Sequence, residues 1–175
     1  MAADTFTLPN FSEPALYTRC NLAPITRSVK FALADITGAA GSAADPLETS
    51  DVIKIFKLPP DVKVIGAQFH SNALDSGSAL VLDLVVANGT TTKQLFTGLT
   101  VGRAGGGVSS HDAATTGFID AFDSNAGIGW VIDNDNYYLA LNVTTGSTGA
   151  GTGDDIYVTV QYTSALESNE AGFRT

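Results

Sequence analysis

Apolar and polar residues alternate with period two over much of the chain, the signature of strands that bury one face. Val29, Phe31 and Leu33 alternate with Ser28, Lys30, Ala32 and Ala34, which predicts a first strand after Arg27. Residues 37–50 are small and polar and read as a loop, and Asp51 to Leu58 is β-branched and aromatic and reads as a second strand. Pro59-Pro60-Asp61 stops it, because proline cannot donate to a ladder. Val62 to Leu74 resumes as a strand, Asp75-Ser76-Gly77 reads as a turn with glycine where a positive φ is often needed, and Ser78 to Ala87 follows directly. There Leu80, Leu82, Leu84 and Val86 share one face, leaving Val81, Asp83 and Val85 on the other. Asn88-Gly89 is a hairpin signal. Lys93 to Val101 fits a strand or a short helical excursion, and weaker strand candidates lie near 115–120 and 128–132. Two clean strands close the pattern, Tyr137 to Val143 and Asp155 to Thr163, joined by the Gly/Thr-rich TTGSTGAGTGDD, too long for a tight hairpin.

About eight strands with no amphipathic helix longer than two turns predict an all-β domain, a jelly-roll β-sandwich of about eight antiparallel strands with an extended N-terminal arm. An immunoglobulin-like sandwich is the alternative that pattern alone leaves open. Residues 1–27 lack either period, carry Pro9, Pro14 and Pro24, and read as the arm; 28–163 is the sandwich and 164–175 a peripheral tail. The isolated apolar residues of the arm would be wasted on solvent, so it is expected to dock on something.

Composition narrows the function classes. The 175 residues include 9 Lys plus Arg against 18 Asp plus Glu, a net charge of −9, opposite to what neutralising phosphates requires. Nucleic acid and anionic membranes are therefore disfavoured as partners. The first ten residues have neither a basic start nor an apolar run, so no secretory signal is expected, and no stretch approaches the roughly 20 apolar residues of a spanning helix. One cysteine, Cys20, excludes an internal disulfide framework and a Cys-rich zinc site.

No candidate for chemistry completes a constellation. Ser109 or Ser110 with His111 and Asp112 invites a triad, but neighbours on a strand point to opposite faces and no nucleophile elbow surrounds them. His70, the other histidine, has no partner motif, and Cys20 reads as a small packed thiol. Gly102-Arg103-Ala104-Gly105-Gly106-Gly107 lacks the Gly-Lys-Ser/Thr and helix start of a phosphate loop. Acidic residues gather at Asp120, Asp123, Asp133 and Asp135 and at Asp154-Asp155. Asp133-Asn134-Asp135-Asn136 has the oxygen-rich opening of a calcium loop, but YYLALNVT follows in place of the glycine and glutamate, and a solvated turn is the ordinary reading. Trp130, Tyr137 and Tyr138 would form a sugar-stacking platform if exposed, although core packing is the commoner use of such rings. No catalytic, cofactor or metal residues are assigned.

The run Asp51-Val-Ile-Lys-Ile-Phe-Lys-Leu-Pro-Pro-Asp-Val-Lys-Val-Ile-Gly66, then Ala73-Leu-Asp-Ser-Gly-Ser-Ala-Leu-Val-Leu-Asp-Leu84, Leu99-Thr-Val-Gly-Arg-Ala-Gly-Gly106 and Asp155-Ile-Tyr-Val-Thr-Val-Gln-Tyr162, resembles the head decoration, or cement, proteins of tailed bacteriophages. The resemblance spans roughly 28–163. It implies a non-enzymatic jelly-roll protein, commonly a homotrimer, made in the host cytoplasm and bound to the outer surface of the virion, where it bridges subunits of the major capsid protein. On this reading residues 1–27 and the loops near 38–50 and 102–112 make the contacts, and Leu8, Phe11, Leu16 and Tyr17 are the capsid-binding anchors of the arm. Deleting residues 1–20 is then expected to abolish capsid binding while leaving the fold intact. A receptor- or carbohydrate-binding module of a head or tail fibre is the alternative, carried by Trp130, Tyr137 and Tyr138.

Overall fold

Period-two alternation commits each strand to one apolar face, and the strands of the computed structural model satisfy it by stacking as two sheets. Residues 4–8, 11, 24–36, 46–103, 131–132 and 136–164 are described. They hold nine strands: β1 (Thr5–Thr7), β2 (Ile25–Ala32), β3 (Val52–Lys57), β4 (Val62–Ser71), β5 (Val81–Ala87), β6 (Thr92–Leu99), β7 (Val131–Ile132), β8 (Tyr138–Thr145) and β9 (Asp155–Ser164). The one helical piece among these residues is a 3₁₀ turn at Leu33–Asp35.

One sheet has the order β1-β3-β8-β5-β6 and the other β2-β9-β4-β7. The antiparallel pairs β2/β9, β3/β8, β4/β7 and β5/β6 are nested in sequence, and β9/β4 and β8/β5 join them side to side. A long hairpin rolled on itself generates this order, and the jelly roll expected from the sequence makes the same demand. In an immunoglobulin-like sandwich the first strand lies beside the second. Here the first long strand, β2, lies beside the last.

The sheets enclose the core, where Ile53, Phe56, Phe69, Leu82, Leu84, Phe96, Leu141 and Val158 are at most 1% exposed. β5 is buried on both faces. Leu82, Leu84 and Val86 point into the sandwich, whereas Val85 and Ala87 join Ala140 in a second small cluster on the other side of the sheet, flanked by Val52 and Tyr138.

Four expectations are changed or, for the stretch from Lys93, settled as a strand. β2 begins at Ile25, inside the expected arm, because the alternation runs back through Arg27 to Ile25. Leu33 is buried not as a strand residue but in the 3₁₀ turn. Residues 92–99 form strand β6, irregularly paired with β5; Gly98 has φ +68° and donates its amide to the Asp83 carboxylate at 2.8 Å. The candidate strand near 115–120 lies outside the described residues.

The fourth change concerns the N-terminus. Thr5–Thr7 add to the sheet as a parallel neighbour of β3, with Phe6 1% and Leu8 6% exposed inside the main core. The Asp51 carboxylate accepts the Asp4 amide at 3.0 Å and the Glu48 amide at 2.8 Å, and the Leu8 amide donates to the Lys54 carbonyl at 3.1 Å. The Phe11 amide donates to the Leu8 carbonyl at 3.0 Å, and the Phe11 ring meets Tyr138 edge-on at 6.1 Å. Deleting residues 1–20 would therefore remove core side chains, so the expectation that such a truncation leaves the fold intact does not hold.

Candidate interaction surfaces

At one end of the sandwich, three connections are knitted around one carboxylate. Asp75 is fully buried, and its Oδ1 accepts the Gly77 amide, the Thr148 amide and the Thr148 hydroxyl at 2.8–2.9 Å. Its Oδ2 accepts the amides of Ala79 and Leu80, both at 3.0 Å, while its own amide donates to the Gly102 carbonyl at 2.9 Å. Burial alone would push the Asp75 carboxyl up, but the Gly77 and Leu80 amides and the Thr148 hydroxyl and amide favour the anion and hold it far below the usual carboxylate range. Asp75 thus binds the β4–β5 turn to the β8–β9 connection and to the segment after β6.

The same geometry explains two glycines. Gly77 has no positive φ, contrary to the turn expectation; its place is set by Thr148, whose Oγ1 a Cβ on Gly77 would overlap. On Gly151 a Cβ would overlap the Ala73 carbonyl. The long Gly/Thr connection is thus a tightly threaded segment, with its glycines at close backbone approaches. Gly151→Ala is expected to cost roughly 2 kcal/mol through forced backbone displacement, read as a lower midpoint in urea unfolding. A midpoint equal to that of the parent would contradict this packing.

Gly102 and Arg103, the described part of the glycine-rich stretch, have structural partners: the Gly102 carbonyl accepts the Asp75 amide, and Arg103 Nε donates to the Leu80 carbonyl at 2.9 Å. An open depression of about 450 Å³ is lined by residues 46–49 and 145–147, among which Glu48 is the one ionisable group. Among the described residues no group of three or more His, Cys, Asp or Glu could hold a metal ion.

The outer face of the β2-β9-β4-β7 sheet has a different character. Lys30, Tyr157 and His70 lie in one cross-strand row. Lys30 pairs with Asp155 at 3.0 Å, its ammonium stands 5.2 Å from the centre of the Tyr157 ring, and the His70 ring meets the other side of the row at 5.5 Å. The Tyr157 hydroxyl, then Asp155, favour the charged form of Lys30 and raise its pKa. The next row is uncharged, with Ser28 and Thr159 sharing a hydrogen bond of 2.8 Å. On the inner side of β2 the guanidinium of Arg27, a residue expected in the arm, lies 4.2 Å over Phe56. Burial lowers its pKa, against a raising influence of Tyr162, and Nη1 has no hydrogen-bond partner among the described residues. The sequence signal was available: Ile25, Arg27, Val29 and Phe31 are spaced by two.

The sugar-stacking platform is corrected. Tyr137 is 4% exposed and belongs to the core, and Tyr138 is half-buried beneath Phe11, with Lys54 Nζ 4.8 Å from its ring centre. Of the four expected anchors, the structure places Leu8 in the core and Phe11 on Tyr138, both against this same domain. Leu16, Tyr17, Cys20, Ser109, Ser110, His111, Asp112, Asp120, Asp123, Trp130, Asp133 and Asp135 lie outside the described residues, as do residues 37–45 and 165–175.

No protein-family model and no curated protein matches the chain. Two solved structures do. A chain of the cyanophage Pam1 capsid asymmetric unit superposes with a TM-score of 0.51 at 20% identity, covering 86% of this chain and 98% of that one. A chain of the capsid of Ralstonia phage GP4 superposes with a TM-score of 0.59 at 18% identity, covering 87% of this chain and 90% of that one. The likeness is one of fold, and it runs nearly the whole length of each partner.

Proposed function

We propose that this chain is a structural, non-enzymatic protein of a bacteriophage virion, a decoration protein that binds the outer surface of the assembled head as a homotrimer and bridges subunits of the major capsid protein. The observation that carries this reading is the near end-to-end fold likeness to chains from two different phage capsids. The described residues support it in kind. Their one strongly shifted carboxylate, Asp75, is saturated by five donors and buried, and so serves architecture rather than proton transfer. A protein of this class needs surface and repetition: a weak contact repeated around a closed shell stabilises the shell by avidity.

With Leu8 and Phe11 held by the domain itself, the capsid-binding part of the arm narrows to Leu16 and Tyr17. Heads stripped of this protein are expected to recover it from solution in a cosedimentation assay, and the double variant Leu16→Glu/Tyr17→Glu is expected to bind at least about tenfold more weakly. Failure of the parent protein to bind stripped heads would refute the decoration reading. Equal binding by the variant would refute the role of the arm alone.

A further inference from the structure

The charges of this chain are segregated. Of the nine acidic residues among the described residues only Asp83 and Asp155 lie in strands, whereas six of the seven described cations do: Arg27, Lys30, Lys54, Lys57, Lys63 and Lys93. Asp83 is buried against Gly98, and Asp155 is paired with Lys30. Among the described residues the carboxylates are thus concentrated in the connections. At the end knitted by Asp75, Asp35, Glu48 and Asp154 lie on adjoining loops: the Leu33 amide donates to the Asp154 carbonyl, and residues 146–147 bond to residues 47–49.

The two outer sheet faces also differ. On the five-stranded sheet, the outward apolar residues Val85, Ala87 and Ala140 are already 0–7% exposed, and Phe11 is seated on Tyr138 beside them. On the four-stranded sheet they are partly exposed. Ile65, Val131 and Tyr157, the three exposed large hydrophobics among the described residues, belong to β4, β7 and β9 of that sheet at 38–39% exposure, with Lys63 paired to Val131 and Lys30 to Tyr157.

We propose that the outer face of the four-stranded sheet is a self-association surface, and that it receives the acidic loop end, around Asp35 and Glu48, of a second copy of this chain. The occupant follows from complementarity: the face offers Lys63, which has no ion-pair partner among the described residues, with apolar and aromatic groups, and the end of the same molecule offers carboxylates. Because the two patches differ, the contact is heterologous and closes as a ring when the rotation permits. Its size points the same way. Three long strands about 4.8 Å apart and eight residues long present a mean plane of roughly 14 by 26 Å. That is well under the roughly 800 Å² per partner of a stable pair, so a single contact is weak, and a ring in which every copy makes two is stable.

The test is sedimentation velocity on the full chain over a range of concentration and salt. The unmodified protein is expected to associate, and to do so more weakly as salt rises. The variants Lys30→Glu/Lys63→Glu and Asp35→Lys/Glu48→Lys, each retaining the parent circular dichroism spectrum and melting temperature, are expected to associate at least about tenfold more weakly alone. Mixed in equal amounts they are expected to recover the contact between unlike copies, since each supplies the patch that the other now complements, but to stay below the parent level, because a three-membered ring of the two variants always retains one mismatched contact. A monomeric parent, association insensitive to salt, or no recovery on mixing would overturn the proposal; so would a monomeric parent whose binding to stripped heads falls with Lys30→Glu/Lys63→Glu, which would assign the face to the capsid. The sedimentation runs use no heads, so they test self-association, on which the homotrimer of the proposed function also rests, separately from binding to the head.

Discussion

Asp75→Ala is expected to destabilise the protein by about 3–5 kcal/mol, because it strands several amides that this buried carboxylate now satisfies. For a chain of this size that corresponds to a fall of roughly 10 °C in melting temperature. Asp75→Asn should recover little, since its NH₂ group would face donors on either oxygen. The effect also has a pH signature. The folded-state carboxyl is held far below its ordinary value of 3.8, so the stabilisation is fully present above about pH 4 and is lost as pH falls below that toward the folded value. Chemical denaturation of parent and Asp75→Asn from pH 7 down to pH 2 should show a constant gap that narrows only in the acid limb. A gap below about 1 kcal/mol at pH 7, or one that persists undiminished to pH 2, would contradict the role assigned to Asp75.

Phe6→Ala should be comparably severe, at about 3–5 kcal/mol, the usual loss for a fully buried phenylalanine. The interest of the measurement lies in its location. A residue six positions into a free arm would cost nothing when truncated, whereas a residue inserted between the sheets beside Ile53 costs the transfer of a ring and the cavity left behind. Thermal unfolding of Phe6→Ala, with Thr5→Ala at its exposed neighbour as the control, separates the two. If both variants melt with the parent, the parallel pairing of β1 with β3 is not part of the fold.

Much of the sandwich was legible because alternation is a local property. Leu82, Leu84 and Val86 against Asp83 and Val85, or Ile156, Val158 and Val160 against Tyr157 and Thr159, announce a strand and its buried face without reference to any other part of the chain. Asn88-Gly89 announced its turn equally locally: Gly89 has φ +91°, and the Asn88 side chain caps the amides of Thr90 and Thr91. What alternation could not convey is partnership. Phe6 and Leu8 look like scattered apolar residues until Val52 and Lys54 are seen beside them. Tyr137 and Tyr138 look equivalent, yet adjacent positions point to opposite faces, so one is core and the other carries Phe11.

The candidate surfaces divide in the same way. Net charge, the single cysteine and the absence of a complete catalytic constellation are properties of composition and spacing, and they steered the reading away from nucleic acid, disulfides and catalysis before any fold was known. That among the described residues most cations sit on strands and most carboxylates on connections required the strand boundaries. That the apolar residues of one outer sheet face are covered and those of the other partly exposed required the packing.

From the sequence by itself came the all-β class, most strand positions and the inward face of each, because a two-residue period needs only near neighbours to be visible. The tertiary structure alone decided which strands pair, that the N-terminal segment is a sheet strand, and that Asp75 is the knot of three loops. Those are contacts between residues tens of positions apart, such as Asp75 with Thr148, and no local pattern encodes them.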